Sequence, residues 1–234
     1  MKKHRIFLIL LFFIQMLALR VTAQWSVGLS GGYTFNHYNY DPQYMYGLDF
    51  KGHHGIAVDF PVSYQFNEHW GVVSGLSAQQ KGYWLIVHYA DSSNFQKIIR
   101  DDYYVGVPIM AEFTFGHYKW HGFIDAGGYV GYWCKSNFKY ETCTYLKHIY
   151  PEDGLMSEER AFNAVSDRQF EVGMVGGIGV RYDIVPSFSL FAVVRCHQSL
   201  TSQLKDYQTM HFPAYNTTLT GQIGFMFNFK SNKQ

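Results

Sequence analysis

Phe170-Glu171-Val172-Gly173-Met174-Val175-Gly176-Gly177-Ile178-Gly179-Val180-Arg181-Tyr182 is the stretch whose reading decides the fold. Phe170, Val172, Met174, Ile178, Val180 and Tyr182 fall on one parity, and Glu171, Gly173, Gly177, Gly179 and Arg181 on the other. A period of two is the signature of a β-strand, because successive side chains leave opposite faces. The apolar run around Val172–Val180 is the longest after residue 23, and its glycines stop it far short of the ~18 apolar residues of a membrane helix. The bulky groups share one face and the other is small. A soluble barrel would put its large apolar residues inside, whereas here the bulky face suits lipid and the small face suits a narrow lumen. After the tight turn Asp183-Ile184-Val185-Pro186, Phe188–Leu200 repeats the pattern, with Leu190, Ala192 and Val194 against Ser189, Arg195 and Ser199.

The same alternation marks six further segments: Trp25–Phe35, His54–Gln65, Trp70–Lys81, Tyr103–Phe115, Trp120–Cys134 and Leu219–Phe229. Each reaches the ~9–11 residues that a tilted strand needs to cross a bilayer. Tight turns at Phe66-Asn67-Glu68 and Gly116-His117-Tyr118 join with the one above to separate long polar loops at Asn36–His53, Gly82–Asp102, Lys135–Gln169 and about Thr201–Asn216. Strict alternation of long and short connections belongs to transmembrane barrels and has no cause in a β-sandwich. Trp25, Tyr64, Trp70, Tyr104, Trp120, Tyr132 and Tyr182 stand at strand ends, as interfacial girdles do. The expected fold is therefore all-β, an eight-stranded antiparallel up-and-down transmembrane β-barrel. Pro61 and Pro108 fall inside strands, where a closed sheet offers no free edge, so each is expected to mark a bulge or a strand end.

Composition agrees. Of 234 residues, 19% are aromatic and 16% charged, with 22 glycines and 6 prolines. Soluble domains carry about 25% charged residues. A mean hydropathy of −0.15 excludes a polytopic helical membrane protein, and a formal charge of +1 gives no sign of nucleic-acid binding. Lys2, Lys3 and Arg5 precede the apolar stretch Ile6–Leu17, and Val21-Thr22-Ala23 offers a cleavage site. Residues 1–23 read as a signal peptide, residues 24–230 as the barrel and residues 231–234 as a polar tail. Removing the leader takes away Lys2, Lys3, Arg5 and Arg20 and no acid, so the charge moves from +1 to −3.

Four segments carry a family resemblance: Leu76-Ser77-Ala78-Gln79-Gln80-Lys81-Gly82, Tyr104-Val105-Gly106-Val107-Pro108-Ile109, Asp125-Ala126-Gly127-Gly128-Tyr129-Val130-Gly131-Tyr132 and Gly224-Phe225-Met226-Phe227-Asn228-Phe229. Over residues 24–230 the chain resembles the PorT-like outer-membrane β-barrel domain of Gram-negative envelope proteins. The resemblance implies a place in the cell outer membrane, and an even-stranded barrel with short inner turns is expected to keep both termini periplasmic. It also implies a tolerated proline at Pro108. The secretion role of one family member does not transfer, and an accessory place in envelope or secretion machinery stands only as an expectation. Its motifs are barrel patterning, and no functional residues define the family.

Among residues able to carry chemistry, the 11 histidines show no ligand spacing. His53 and His54 are adjacent and expected on opposite faces of a strand, and Cys-x-x-Cys is absent, so neither metal nor cofactor is expected. A lipid-modifying enzyme, an acyltransferase or deacylase, is the alternative. It would use His197 and Ser199, which share a face but have no evident acid, and no enzymatic activity is expected. Cys134 and Cys143 flank the start of the longest loop of an exported chain and form a possible disulfide.

The lumen supplies the sharper expectation. Counted from the short-turn ends, Asp59 and Asp125 lie about six residues up their strands, Gln222 about seven and Arg195 about eight, so their depths differ by under ~7 Å. All four fall on the small face. Arg195 is expected to cross to Asp59, Asp125 or both, since a buried carboxylate is costly without a guanidinium, and this polar plug would close the barrel to solutes. What remains for function is a binding surface of external loops on a rigid scaffold. Expected partners are outer-membrane lipid and lipopolysaccharide, the barrel-assembly machinery during insertion, and an envelope protein partner, with no nucleic acid.

Overall fold

A computed structural model describes residues 24–40, 48–88, 95–142, 156–205 and 214–230. Residues 1–23, residues 231–234 and Cys143 lie outside these residues. The strands are β1 (Gln24–Tyr40), β2 (Leu48–Gln65), β3 (Trp70–His88), β4 (Phe95–His117), β5 (Trp120–Thr142), β6 (Met156–Glu159), β7 (Phe170–Val185), β8 (Phe188–Ser199) and β9 (Ala214–Lys230). All but the short β6 form the wall. Each wall strand pairs antiparallel with the next, and β9 returns to β1, closing an eight-stranded up-and-down barrel.

The register sets its geometry. One horizontal path runs from Val27 through Val62, Ser74, Ile109, Gly128, Met174, Gln198 and Thr217, and returns to β1 at His37, ten residues higher. Eight strands with that stagger tilt by ~40° and enclose an interior that side chains can fill. The outer face then carries an unbroken apolar band that includes Val27, Ile56, Phe60, Leu76, Val107, Ile109, Ile124, Met174, Ile178, Ile223 and Phe227, all exposed. Soluble monomers rarely show so extended an apolar patch to water. At the turn end a girdle is paired ring to ring, Trp25 with Tyr64, Trp70 with Phe113 and Trp120 with Tyr182. At the loop end stand Tyr33, Phe35, Tyr103, Tyr132 and Phe170. The steps from Trp25 to Phe35 span ~33 Å of strand, or ~25 Å of height at this tilt, which matches the apolar band of a bilayer-spanning barrel. Tyr104, expected in the girdle, points into the lumen and is buried, and Tyr103 takes its place.

The expected loops are shorter than the sequence suggests. β2 starts at Leu48, β3 runs to His88, β4 starts at Phe95 and β5 runs to Thr142, so Asn36–His53, Gly82–Asp102 and Lys135–Gln169 each contain strand. Thr201–Asn216 likewise gives its last residues to β9. β7 and β8 stop at the top of the apolar band. The wall is therefore tall on the β2–β5 side and low at β7–β8. Residues 160–169 and 200–205 close the low side: Asp167 bridges Leu204, Arg168 N donates to Gln203 O at 2.9 Å, and Gln203 N donates to Ala214 O at 2.8 Å.

Neither strand proline makes a bulge or an end. Pro61 pairs with Gly75 across β2–β3, and Gly75 stands opposite Pro108 on β4, so the three form one row. The β1–β2 ladder passes from Val27–Val62 to Ser30–Asp59, and the β3–β4 ladder from Ser74–Ile109 to Ser77–Gly106, both without a shift. Each proline thus sits where a rung is skipped. Gly75 has φ +144°, and a Cβ there would lie 2.1 Å from Phe60 O, so only glycine fits. The register shifts fall elsewhere, between Gly52 and Ala57, Tyr103 and Tyr104, and Asp183 and Val185.

Candidate functional site

Inward side chains stack in layers from the turn end upward. The lowest is polar. Glu112 accepts from Gln65 Nε2 at 2.7 Å, Arg181 Nη2 at 3.0 Å and Thr114 Oγ1 at 3.3 Å. Beside and above it two apolar clusters help to fill the bore, Phe123 with Phe191, Val193 and Met226, and Val73 with Met110, Tyr129 and Val175. Glycines opposite make room: a Cβ on Gly179 would lie 2.3 Å from Phe123 Cζ.

Arg195 occupies the middle. Its Nε and Nη2 both donate to Asp125 Oδ2, at 2.9 and 2.8 Å, and Nη1 lies 3.9 Å from Asp59 Oδ2. The guanidinium therefore grips a single oxygen of Asp125 rather than forking across two, and reaches Asp59 only at long range. Asp59 Oδ1 instead accepts from Ser77 Oγ at 2.6 Å, and Ser77 Oγ accepts from Gln79 Nε2 at 3.1 Å. Gln222 faces the same level, buried, with no hydrogen-bond partner for either polar atom.

A second ion pair lies above. Lys81 donates to Glu171, which also accepts from Tyr129 Oη at 2.7 Å and Asn216 Nδ2 at 3.2 Å. Asn36 ties this group to Asn216 and to the backbone of Gly82, and Thr218 donates to Asn36. At the mouth Arg100 donates to Asp102 at 2.9 Å and lies over the rings of Tyr83, Trp133 and Phe138. Gln203 Nε2 donates to Asp102 and Tyr104, and Phe162 caps Trp133 edge-on, so residues 160–169 and 200–205 sit on the mouth as a strap. Asp167 holds the strap together by accepting from Arg160 Nη2 at 2.8 Å and Asn163 N at 2.9 Å. Burial raises its pKa, but these donors outweigh that and hold its carboxyl below the usual range.

On the outer face, above the apolar band, His53 joins Trp84 and Asp101. Trp84 Nε1 donates to His53 Nδ1 at 2.6 Å, so the ring presents Nε2–H to Asp101 Oδ1, also at 2.6 Å. Lys139 Nζ and Gln80 Nε2 complete the shell of Asp101 at 2.8 and 3.0 Å. Burial alone would raise the Asp101 pKa, and hydrogen bonds from His53 and Lys139 reverse this, lowering it to about 2. The expected split of His53 and His54 onto opposite faces does not occur. The register shift between Gly52 and Ala57 leaves His54 stacked on Tyr33 and against Phe35, on the same outer side as His53.

Of the other candidates, His197 and Ser199 are buried in the lumen, with Ser199 Oγ donating to Thr201 O. Cys134 is exposed on the outer face, while its expected partner Cys143 lies outside the described residues. The pairs Glu112–Arg181 and Lys81–Glu171 were not singled out from sequence, although inward parity places Glu112, Glu171 and Arg181 on the small face.

A closed wall with a lipid-facing apolar band, aromatic girdles and internal ion pairs defines a bacterial outer-membrane β-barrel. The chain belongs to the outer membrane protein beta-barrel domain family, whose profile matches residues 15–205, and its place is the outer membrane. Solved structures of the same architecture include Ail, the attachment invasion locus protein of Yersinia pestis, at 16% identity over 87% of this chain and 98% of that one, with a TM-score of 0.43. OprG from Pseudomonas aeruginosa shares 11% identity over 88% and 96%, with a TM-score of 0.48. Neisserial surface protein A shares 11% over 88% and 99%, with a TM-score of 0.44. A sequence comparison with curated proteins gives no match.

Proposed function

We propose that this barrel is a scaffold and interaction protein: its lumen carries no solute, and its loop end is a binding surface presented outside the cell. The observation that carries the reading is the filled bore, where the apolar clusters around Phe123 and Val73 pack among the Glu112–Arg181 and Arg195–Asp125 pairs. A second feature supports it. Strands β2–β5 continue well past the apolar band, which gives the loops a stiff base. In this reading both termini and the short turns face the periplasm, residues 1–23 are a cleaved signal peptide, and the chain is a PorT-like accessory of envelope or secretion machinery. Phospholipid and lipopolysaccharide surround the band, the barrel-assembly machinery inserts the protein, and an envelope protein engages the loop end. The lipid-modifying alternative gains no support from His197 and Ser199, which face the lumen rather than the bilayer.

Two experiments test this reading. Protease added to intact cells should cut within Lys135–Gln169 and spare Phe66–His69; cleavage confined to the short turns would invert the orientation. Photo-crosslinking groups at Lys51, Val165 and Lys205 in living cells should give a discrete protein adduct that the same group at Tyr118 does not. No adduct from any loop-end position would remove the interaction role.

A further inference from the structure

The ion pairs of the lumen match Arg181 with Glu112, Arg195 with Asp125, Lys81 with Glu171 and Arg100 with Asp102. Among the described inward-facing groups of the apolar band, Asp59 is the carboxylate left over. Arg195, already committed to Asp125, stays 3.9 Å away, and Ser77 supplies a neutral hydrogen bond. His197 does not offset the charge. The Gln79 amide donates to its Nε2 at 3.3 Å, so that nitrogen carries no proton and the ring is neutral. A surplus negative charge therefore sits midway up the wall, where the low dielectric makes an unbalanced carboxylate costly.

Polar atoms without a protein partner lie on the inward face of neighbouring strands. Ser30 is the direct cross-strand partner of Asp59, and its buried Oγ makes no hydrogen bond. Gln222 lies on β9 opposite Gly32, on the same inward face as Ser30, and both its Oε1 and Nε2 are unpartnered. Asp125 Oδ1 is a further such atom at this level. Buried polar atoms are rarely left so. Moreover, the Asp59 side chain keeps 13% of its exposure although it points into a closed lumen, so a water-sized space borders the carboxylate.

We propose that this space is a binding site for one monovalent cation of the sodium class. Asp59 supplies the charge, and Ser30 Oγ and Gln222 Oε1, on the neighbouring strands β1 and β9, supply neutral oxygen ligands. Hard cations take oxygen donors of this kind. A divalent ion fits less well, because it would overshoot the single surplus charge. Water alone would answer the hydrogen bonds and leave the charge unbalanced. The site lacks the histidine and cysteine ligands that sequence motifs detect, so it was not among the sequence expectations.

The test uses the full chain refolded into phospholipid vesicles and unfolded with urea. The midpoint is measured in sodium chloride against choline chloride at fixed ionic strength and pH. Sodium should raise the midpoint with saturation. Asp59→Asn should make the two salts equivalent. Ser30→Ala, a small change compatible with the fold, should raise the half-saturating sodium concentration by about tenfold, as loss of one ligand would. Gln222→Leu provides a second check should Asp59→Asn fail to fold. Equal midpoints in the two salts would overturn the proposal, as would a half-saturating sodium concentration left unchanged by both Ser30→Ala and Gln222→Leu. A midpoint that moves with pH identically in both salts would assign a proton to the site instead and also overturn it.

Discussion

Replacing Arg195 with leucine should be among the most damaging single changes in the wall. The side chain is buried, its Nε and Nη2 both donate to Asp125 Oδ2, and the Asp125 side chain is fully enclosed. Leucine fills part of the space but leaves Asp125 charged without its partner and Asp59 further from any cation. Removing one member of a buried pair costs ~3–5 kcal/mol. At ~2–4 °C per kcal/mol for a chain of this size, the unfolding midpoint should fall by ~6–20 °C. Heat-modifiability on gels reads this directly, because folded barrel and unfolded chain migrate differently. Adding Asp125→Asn removes the stranded charge and leaves an amide short of hydrogen bonds, a residual cost of ~1–3 kcal/mol. The double variant should therefore be more stable than Arg195→Leu alone, and Asp59→Asn should add to the rescue. A fall below ~3 °C for Arg195→Leu would mean that water already shares this layer. A double variant no better than the single would refute the claim that the stranded charge is what costs.

Acid should loosen the loop end before the wall. Asp101 and Asp167 have lowered pKa values, so their ion pairs stabilise fully above about pH 4 and lose that contribution as pH falls through the folded values, about 2 for Asp101. Fluorescence of Trp133, capped by Phe162, should stay constant from pH 8 to 5 and change below 4; a flat trace to pH 2 would count against the strap. Phe123→Ala should cost ~3–5 kcal/mol and let ions leak through planar bilayers that the parent protein leaves sealed, and an already conducting parent would contradict the filled bore. Thiol titration in denaturant should find one reactive cysteine before reduction and three after; three before reduction would exclude a Cys134–Cys143 bridge.

The wall was legible because lipid on one side and a narrow bore on the other impose opposite demands on alternate residues. Phe170–Tyr182 obeys both demands, and its register follows. Above the band that contrast ends. In Phe95–Asp102 the inward set includes Ile98, Arg100 and Asp102 and the outward set Lys97, Ile99 and Asp101, so both parities mix apolar and charged groups. The strand continues there by pairing with its neighbours, not by pattern. The Arg195 layer could be found by counting depth along strands. Which oxygen Arg195 would grip, and that Gln222 would stay unpartnered, depend on side-chain reach across the bore, which counting does not contain. His53 escaped because a register shift, invisible in composition, turned it beside Trp84 and Asp101.

The row of Pro61, Gly75 and Pro108 bears on how the strands find each other. Alternation forbids a slip of one residue, since every lipid-facing side chain would turn inward. It does not forbid a slip of two, which keeps inside and outside intact. The prolines penalise that slip. In the native pairing Pro108 stands opposite Gly75, where the β3–β4 ladder already skips a rung. Sliding β3 by two residues would set Pro108 against Val73 or Ser77, and a carbonyl that should be bonded would be stranded in hydrocarbon at a cost of several kcal/mol. Two prolines and a glycine thus act as a key cut into three neighbouring strands. During insertion they would reject the one family of mispairings that the hydrophobic pattern accepts.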